Sequence, residues 1–252
     1  MKEFTSSRTR AHAPRTHRAR TACASEPLHA VKKIAESTVR RLSLYLRYLE
    51  EFETAGRTTV SSGELARSGG TTSAQVRKDL SFFGSFGKRG LGYATHDLVA
   101  HIREILGLDR SWRLVIVGAG KIGSAMARHR GFRDRGFEVV GIFDADPHRV
   151  GHTLDGVTIA DASDLSHAVR QLRADIAVLA VPRHEAQDVA AQLVRGGVHA
   201  ILDFTTAPLD LPEDVTVRSM NLAMELEVLS HALSHARAHA PAHAPAHAPA
   251  HR

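Results

Sequence analysis

Residues 113–127 read RLVIVGAGKIGSAMA. The first five, RLVIV, make a short apolar run suited to a strand buried on both faces. Gly118, Gly120 and Gly123 follow as G-x-G-x-x-G and open a helix through Met126. In that setting the first glycine permits a tight turn, the second lets backbone approach a pyrophosphate, and the third lets helix pack on strand. Residues 138–143 (EVVGIF) then form a second strand that ends in Asp144. An acid there can accept both ribose hydroxyls and repels a 2′-phosphate, so the pattern points to NAD(H) over NADP(H). Arg149, a few residues on, is the one feature that softens this preference. The residues assigned to the nucleotide turn are Gly118, Ala119, Gly120, Lys121, Ile122 and Gly123, with Asp144 at the ribose.

Working outward, further strands are expected at 176–181 (IAVLAV) and 200–204 (AILDF), separated by an amphipathic helix over about 184–195. Strands alternating with helices give a parallel, doubly wound sheet. Val181 and Pro182 fall at the carboxyl end of a strand, where ligands bind in such sheets; the AVPR string serves equally as a plain strand-ending turn.

Upstream, residues 61–93 read SSGELARSGGTTSAQVRKDLSFFGSFGKRGLGY. Ser61 with Glu64, and Thr72 with Gln75, each match a capping box. Two such starts, with Ser68, Gly69 and Gly70 between them, define helix, tight turn, helix. An amphipathic helix over 37–55, carrying Val39, Leu42, Leu46, Leu49 and Phe52, forms the floor of this unit. On the second helix of the motif Val76, Leu80 and Phe83 face inward. Ser73, Gln75, Arg77, Lys78 and Ser81 are the candidate DNA contacts, with Arg77 the base reader and Lys78 the phosphate contact. Gly84, Gly87, Gly90 and Gly92 permit turns around Lys88 and Arg89, a basic hairpin that fits a minor groove as a wing. Three packed helices with surface cations are also an ordinary structural arrangement, so the charge balance matters.

That balance is uneven. Residues 1–110 hold 19 Lys and Arg against 11 Asp and Glu, a net +8, while residues 111–252 hold 14 against 16, a net −2, within the total of +6. A local excess of this kind attracts a polyanion, and with the caps and wing it favours DNA. No apolar run approaches the ~20 residues of a spanning helix, and residues 1–20 lack the apolar core of a signal peptide, so a cytoplasmic protein without a membrane partner is expected. Cys23 is the only cysteine, which excludes an intrachain disulfide or Cys-based metal site.

Residues 1–32 read as a disordered basic arm and 236–252 as a disordered His/Ala/Pro tail whose histidines have no fixed geometry for a metal. Between tail and sheet, Leu222, Leu226, Leu229 and Leu233 form a helical stripe in a segment spanning 219–235. It suits a dimer interface or packing on its own sheet.

Over about residues 35–233 the chain resembles the redox-sensing transcriptional repressor family Rex. Residues 74–93 (AQVRKDLSFFGSFGKRGLGY) are similar to the family's recognition helix and wing. VIVGAGKIGSAMA (115–127) and FDADP (143–147) are similar to its nucleotide fold, and AVPR, ILDF and LPEDV lie in family order. The resemblance implies an α/β homodimer: a winged helix-turn-helix domain (33–108), a Rossmann doubly wound parallel-sheet domain (109–218) and a C-terminal helix (219–235) swapped between subunits. It implies repression of genes for respiration and fermentation from an inverted-repeat operator of double-stranded DNA, released when NADH displaces NAD+. It places Arg77 and Lys78 in the major groove and Lys88 and Arg89 at the minor groove. It also puts Gly118, Gly120, Gly123 and Asp144 on the nucleotide, with Tyr93 facing the nicotinamide region. The chain departs from the family pattern where ILNFAP becomes ILDFTT, at Asp203, Thr205 and Thr206, and where a typical aspartate becomes Asn221. Asn221 lacks a charge that could separate cationic NAD+ from neutral NADH, so a diverged paralogue answering to another nucleotide is one alternative. The other is an NAD-dependent oxidoreductase, for which His184 and His199 are the candidate proton donors and surface histidines the blander reading. Too little chain follows the last helix start to build a substrate domain, so a non-enzyme is expected.

Overall fold

The computed structural model describes residues 34–84 and 91–238. The expectations for residues 1–32, for Lys88 and Arg89, and for the chain beyond 238 lie outside the described residues.

The first unit runs α1 (Glu36–Thr54), β1 (Thr59–Val60), α2 (Ser62–Ser68), α3 (Ser73–Ser81), β2 (Tyr93–Ala94) and α4 (Thr95–Ile105). Leu42, Leu46 and Leu49 of α1 are fully buried, joined by Tyr45, while Val39 remains 38% exposed. The stripe is therefore rotated toward Tyr45, because α4 brings Leu98, Val99 and Ile102 against that side. The sequence reading did not anticipate α4; its N-cap, Ala94, offers no side-chain oxygen to announce a helix start. Strand β2 pairs antiparallel with β1, Thr59 opposite Ala94 and Val60 opposite Tyr93. The described ladder of the wing thus runs between the strands flanking the helix-turn-helix, with the expected hairpin tip outside the described residues.

Both N-caps of the helix-turn-helix are in place. The Ser61 box is complete: the Glu64 N–H donates to Ser61 Oγ at 3.2 Å and the Ser61 N–H to Glu64 Oε2 at 2.8 Å. The Thr72 box is half made, since its hydroxyl accepts the Gln75 N–H at 3.1 Å but the Gln75 side chain reaches forward to Asp79. Asp79, which pattern reading passed over, is fully buried. It accepts two bonds from the Arg41 guanidinium (2.6 and 2.8 Å), one from the Tyr45 hydroxyl (3.0 Å) and one from Gln75 Nε2 (2.8 Å). Burial pushes its pKa up, but these donors outweigh burial and hold it below the ordinary 3.8. One carboxylate thereby ties the recognition helix to α1.

A lowered pKa means stability that is present above the ordinary Asp range and lost as pH falls through it. Asp79→Ala is expected to cost about 3 kcal/mol, because it strands a partly buried guanidinium and a buried hydroxyl. Urea unfolding at pH 7 measures the loss. At pH 3 the difference between wild type and variant should shrink, and a constant difference would contradict the role given to the carboxylate.

The second unit runs β3 (Trp112–Val117), α5 (Lys121–Ala127), α6 (Gly131–Asp134), β4 (Phe137–Asp144), β5 (Thr153–Leu154), β6 (Val157–Asp161), α7 (Leu165–Gln171), β7 (Ile176–Leu179), α8 (Ala186–Arg195), β8 (Ala200–Asp203), β9 (Thr216–Ser219) and α9 (Leu222–Ala238). The sheet order is β5-β6-β4-β3-β7-β8-β9, parallel throughout except for β5 against β6. Without the edge strand β5 this is the Rossmann order 3-2-1-4-5-6. Strand β3 feeds both faces: Val115 and Val117 pack with Phe143, Leu165, Val169 and Leu193 on one side, and Leu114 and Ile116 with Ile142 and Ile159 on the other. Strand β7 stops at Leu179, two residues before the expected end, and α8 starts at Ala186 rather than His184. Pro182 explains both, since it cannot donate to a ladder and breaks the chain into a turn before the helix.

Two ion pairs join the units, both ending on α1. Arg135 meets Glu50 at 3.0 Å, and Arg218 of β9 pairs with Glu36. Helix α9 does not pack on its own sheet: Leu222, Leu226, Leu229 and Leu233 are 59–67% exposed. It also runs to Ala238, into the segment expected to be unfolded, because Ala236 and Ala238 favour helix and the first proline is Pro241.

Candidate nucleotide crevice and DNA-reading face

The sheet order reverses between β3 and β7, and the crevice opens there, beyond the carboxyl ends of the strands. It encloses about 540 Å³ and is lined by Gly118, Gly120, Asp144, Arg149, Val181 and Pro182 among others. The glycines divide the work by contact. At Gly118, with φ +96°, a Cβ would sit 2.4 Å from the Ala180 carbonyl oxygen; at Gly123 it would sit 1.8 Å from the Gly118 carbonyl oxygen. Those two let strand ends and helix close on each other. At Gly120 a Cβ would meet nothing nearer than Arg149 Nη1 at 3.9 Å, so its bareness leaves clearance on the crevice side.

Asp144 is 7% exposed and already well bonded. Its Oδ2 accepts the Ala119 N–H at 2.7 Å and Arg149 Nη1 at 3.1 Å, and its Oδ1 the Asp146 N–H at 2.8 Å. Burial raises its pKa, but the backbone bonds from Asp146 and Ala119 and the Arg149 guanidinium outweigh this and leave it below 3.8. The acid is ionised at neutral pH. The Ala119 N–H is thereby bonded to Asp144. Lys121 and Ile122 are exposed on the first turn of α5 and, with buried Gly123, are not among the residues lining the crevice.

Tyr93 lies on the first unit. It is half-buried on the core of the first unit, where burial raises its hydroxyl pKa and the charge of Arg77 opposes the rise. It does not line the crevice of its own protomer. The unusual ILDFTT string is satisfied locally. Asp203, fully buried, accepts the Thr205 N–H (2.8 Å) and hydroxyl (2.6 Å) on Oδ1 and the Ser219 hydroxyl (2.8 Å) on Oδ2. Thr206 sits in the left-handed region at φ +54°, an uncommon conformation for a β-branched residue, at the end of this turn. Asn221 Oδ1 accepts the N–H groups of Ala223 (3.0 Å) and Met224 (3.4 Å), a cap for α9 that a neutral amide serves well.

On the recognition helix, Arg77 and Lys78 are exposed, and Arg77 Nη1 donates to Ser62 Oγ at 3.1 Å. Gln75 and Ser73 are half-buried, and Gln75 Nε2 donates to Asp79. The Ser81 hydroxyl donates back to the Lys78 carbonyl at 2.8 Å. Phe82, just beyond the helix, is 53% exposed.

The two histidines weighed as proton donors lie on the surface. His184 Nε2 is 3.4 Å from the adjacent Glu185, and His199 Nδ1 is 3.3 Å from Asp214, a carboxylate that spacing did not disclose. His199, just before β8, is at the end of the sheet opposite the crevice. Among the described residues no helix is long and apolar enough to cross a membrane.

Comparison with known proteins agrees with this division. Residues 33–81 match the family described as putative DNA-binding protein N-terminus, and residues 109–207 the family described as CoA binding domain. The chain is 48% identical over 198 residues to a redox-sensing transcriptional repressor Rex of Carboxydothermus hydrogenoformans, covering 79% of this chain and 95% of the relative. The Rex of Chloroflexus aurantiacus is 42% identical over 193 residues, 77% of this chain and 91% of the relative. Among solved structures, RSP in complex with β-NAD+ and operator DNA superimposes with a TM-score of 0.77 at 35% identity, covering 81% of this chain and 94% of RSP. RSP in complex with β-NADH gives 0.75 at 33% identity, covering 82% and 97%.

Proposed function

The chain belongs to the Rex family of redox-sensing transcriptional repressors, and from that membership we propose how its parts act together. It is a DNA-binding repressor responding to NADH and NAD+, and its family consists of repressors, not enzymes. Two protomers grip an inverted-repeat operator through Arg77 and Lys78, and NADH in the crevice releases them. Operator DNA as partner puts the protein in the cytoplasm.

The observation that carries this reading is the pair of ion bridges onto α1. Glu50 and Glu36 belong to the unit that holds the recognition helix, whereas Arg135, between α6 and β4, and Arg218, on β9, belong to the unit that holds the crevice. Arg218 lies on β9, beside the strand whose end carries the Asp203–Thr205–Ser219 cluster. A ligand that shifts the strand ends therefore moves the DNA-reading heads. Half-sites are readable only at a matching spacing, so a ligand that favours a different spacing weakens operator binding by its coupling energy, typically ~1–3 kcal/mol or about 5–150-fold. Equal affinity for both arrangements would shift nothing.

Two titrations test this. Operator retardation at fixed salt should weaken with NADH and respond less to NAD+ or NADPH; steady NADH consumption with a small carbonyl compound and no effect on the operator would overturn it. In the second, Asp144→Ala should weaken NADH by about 10–100-fold, the loss of charge-assisted bonds to the ribose. The variant should also narrow the gap to NADPH, because Arg149 then faces a 2′-phosphate without its carboxylate partner. An unchanged NADH affinity would remove Asp144 from the ribose site. The match of residues 109–207 to a CoA-binding family favours a second ligand class. CoA carries a ribose phosphate that the ionised Asp144 repels, so CoA should fail to displace NADH.

A further inference from the structure

We propose that His231 and His235 on α9 form a two-nitrogen chelate for a divalent transition-metal ion of the zinc class. The sequence places histidines at 231, 235, 239, 243, 247 and 251, a strict period of four. The last four lie outside the described residues. The first two are on α9, where residues four apart share a face. A fixed geometry, which composition alone denies to these histidines, is therefore present for this pair.

Three observations fit them to an ion. Their ring centroids are 4.0 Å apart. A tetrahedral ion at its usual nitrogen distances spans two nitrogens ~3.3 Å apart, within reach of side-chain rotation from that start. Second, His235 Nδ1 lies 2.9 Å from the His231 carbonyl oxygen. A carbonyl only accepts, so Nδ1 carries the proton in this contact, the kind of outer bond that orients metal-binding imidazoles. Third, at ~100° per residue the pair lies about 140–180° around the helix from Leu226, away from the Leu222, Leu229 and Leu233 seam. Met224 and Val228 share the histidine side in the earlier turns, and after Leu229 only Leu233 is large and apolar. The histidines thus begin where the all-round apolar part of the helix ends. Among the described residues no group of three or more metal-binding side chains is assembled, so water completes the coordination. Imidazole nitrogen selects zinc, copper and nickel over magnesium or calcium.

The test uses the full chain and Zn2+ in competition with a chromophoric chelator. One variant carries His231→Ala and His235→Ala; a second carries His239→Ala, His243→Ala, His247→Ala and His251→Ala. Loss of the tightest zinc equivalent in the first variant, by about tenfold or more in affinity, supports the site. Zinc should also raise the helical signal of the wild type and not of that variant, because a bridge between residues four apart requires helix. Retention of the tightest equivalent in the first variant, or its absence from the wild type, overturns the proposal. Neither readout involves the nucleotide or the operator, so the inference stands or falls apart from the sensor reading.

Discussion

Glutamate at both Leu226 and Leu229 is expected to yield a folded monomer whose operator affinity falls about a thousandfold, toward nonspecific binding. The reason is that, among the described residues, nothing of its own protomer covers the apolar stripe of α9. Leu226 is 67% and Leu229 59% exposed, and Met224, Val228 and Leu233 are exposed beside them. Burying such side chains against a second copy contributes roughly 1.5–3 kcal/mol each, enough to drive association. A monomer presents one recognition helix and forfeits the second half-site, together with the register that a two-fold operator demands. Sedimentation at micromolar protein reads the assembly and retardation reads the affinity. A variant that remains dimeric with native operator affinity would place the interface elsewhere. The substitutions touch no described core residue, so unfolding is not expected to confuse the outcome.

Gly118→Ala is expected to abolish the NADH response while leaving nucleotide-free operator binding intact. The added methyl would lie 2.4 Å from the Ala180 carbonyl oxygen, 2.6 Å from its carbon, and 3.0 Å from the Val181 nitrogen, all backbone atoms that cannot rotate away. The residue is also held at φ +96°, where a side chain is strained. Strain and overpacking together cost about 2–4 kcal/mol, relieved only by separating the β3 turn from the end of β7. That separation deforms the crevice wall formed by Val181 and Pro182. Calorimetry should show NADH affinity down by about 30-fold or more, the cost falling on the bound form. Operator affinity without nucleotide should stay within a few-fold of wild type, since the first unit has its own core. Intact NADH release from this variant would detach the crevice from the response.

Much of this architecture is written in local residue chemistry. The glycine turn, the strand ending in Asp144 and the Ser61 cap each depend on neighbours within a few residues, and each is found where the pattern puts it. Interactions between distant segments were not legible. Asp79 looks like a surface residue of a polar helix until Arg41 and Tyr45, more than thirty positions away, arrive to bury it. The same folding event engages the Gln75 side chain. Tyr93, which the family resemblance alone singles out, is set by the β1–β2 ladder against the first core, a placement that no local pattern discloses. Strand β9 hid in TVRS, four residues with one large apolar side chain, because an edge strand needs little burial. The ion pairs of Glu36 and Glu50 are invisible to any window, although they link α1 to the second unit.

Reciprocity gives the most direct test of the coupling between crevice and DNA-reading heads. NADH affinity should be measured by calorimetry or fluorescence on the free dimer and again on the dimer saturated with operator, at one salt concentration. If NADH weakens operator binding by some factor within the usual 5–150-fold, bound operator must weaken NADH by that same factor. Equal NADH affinity with and without operator would show that the crevice and the heads are energetically independent, and the account of this chain as a sensor would not survive it.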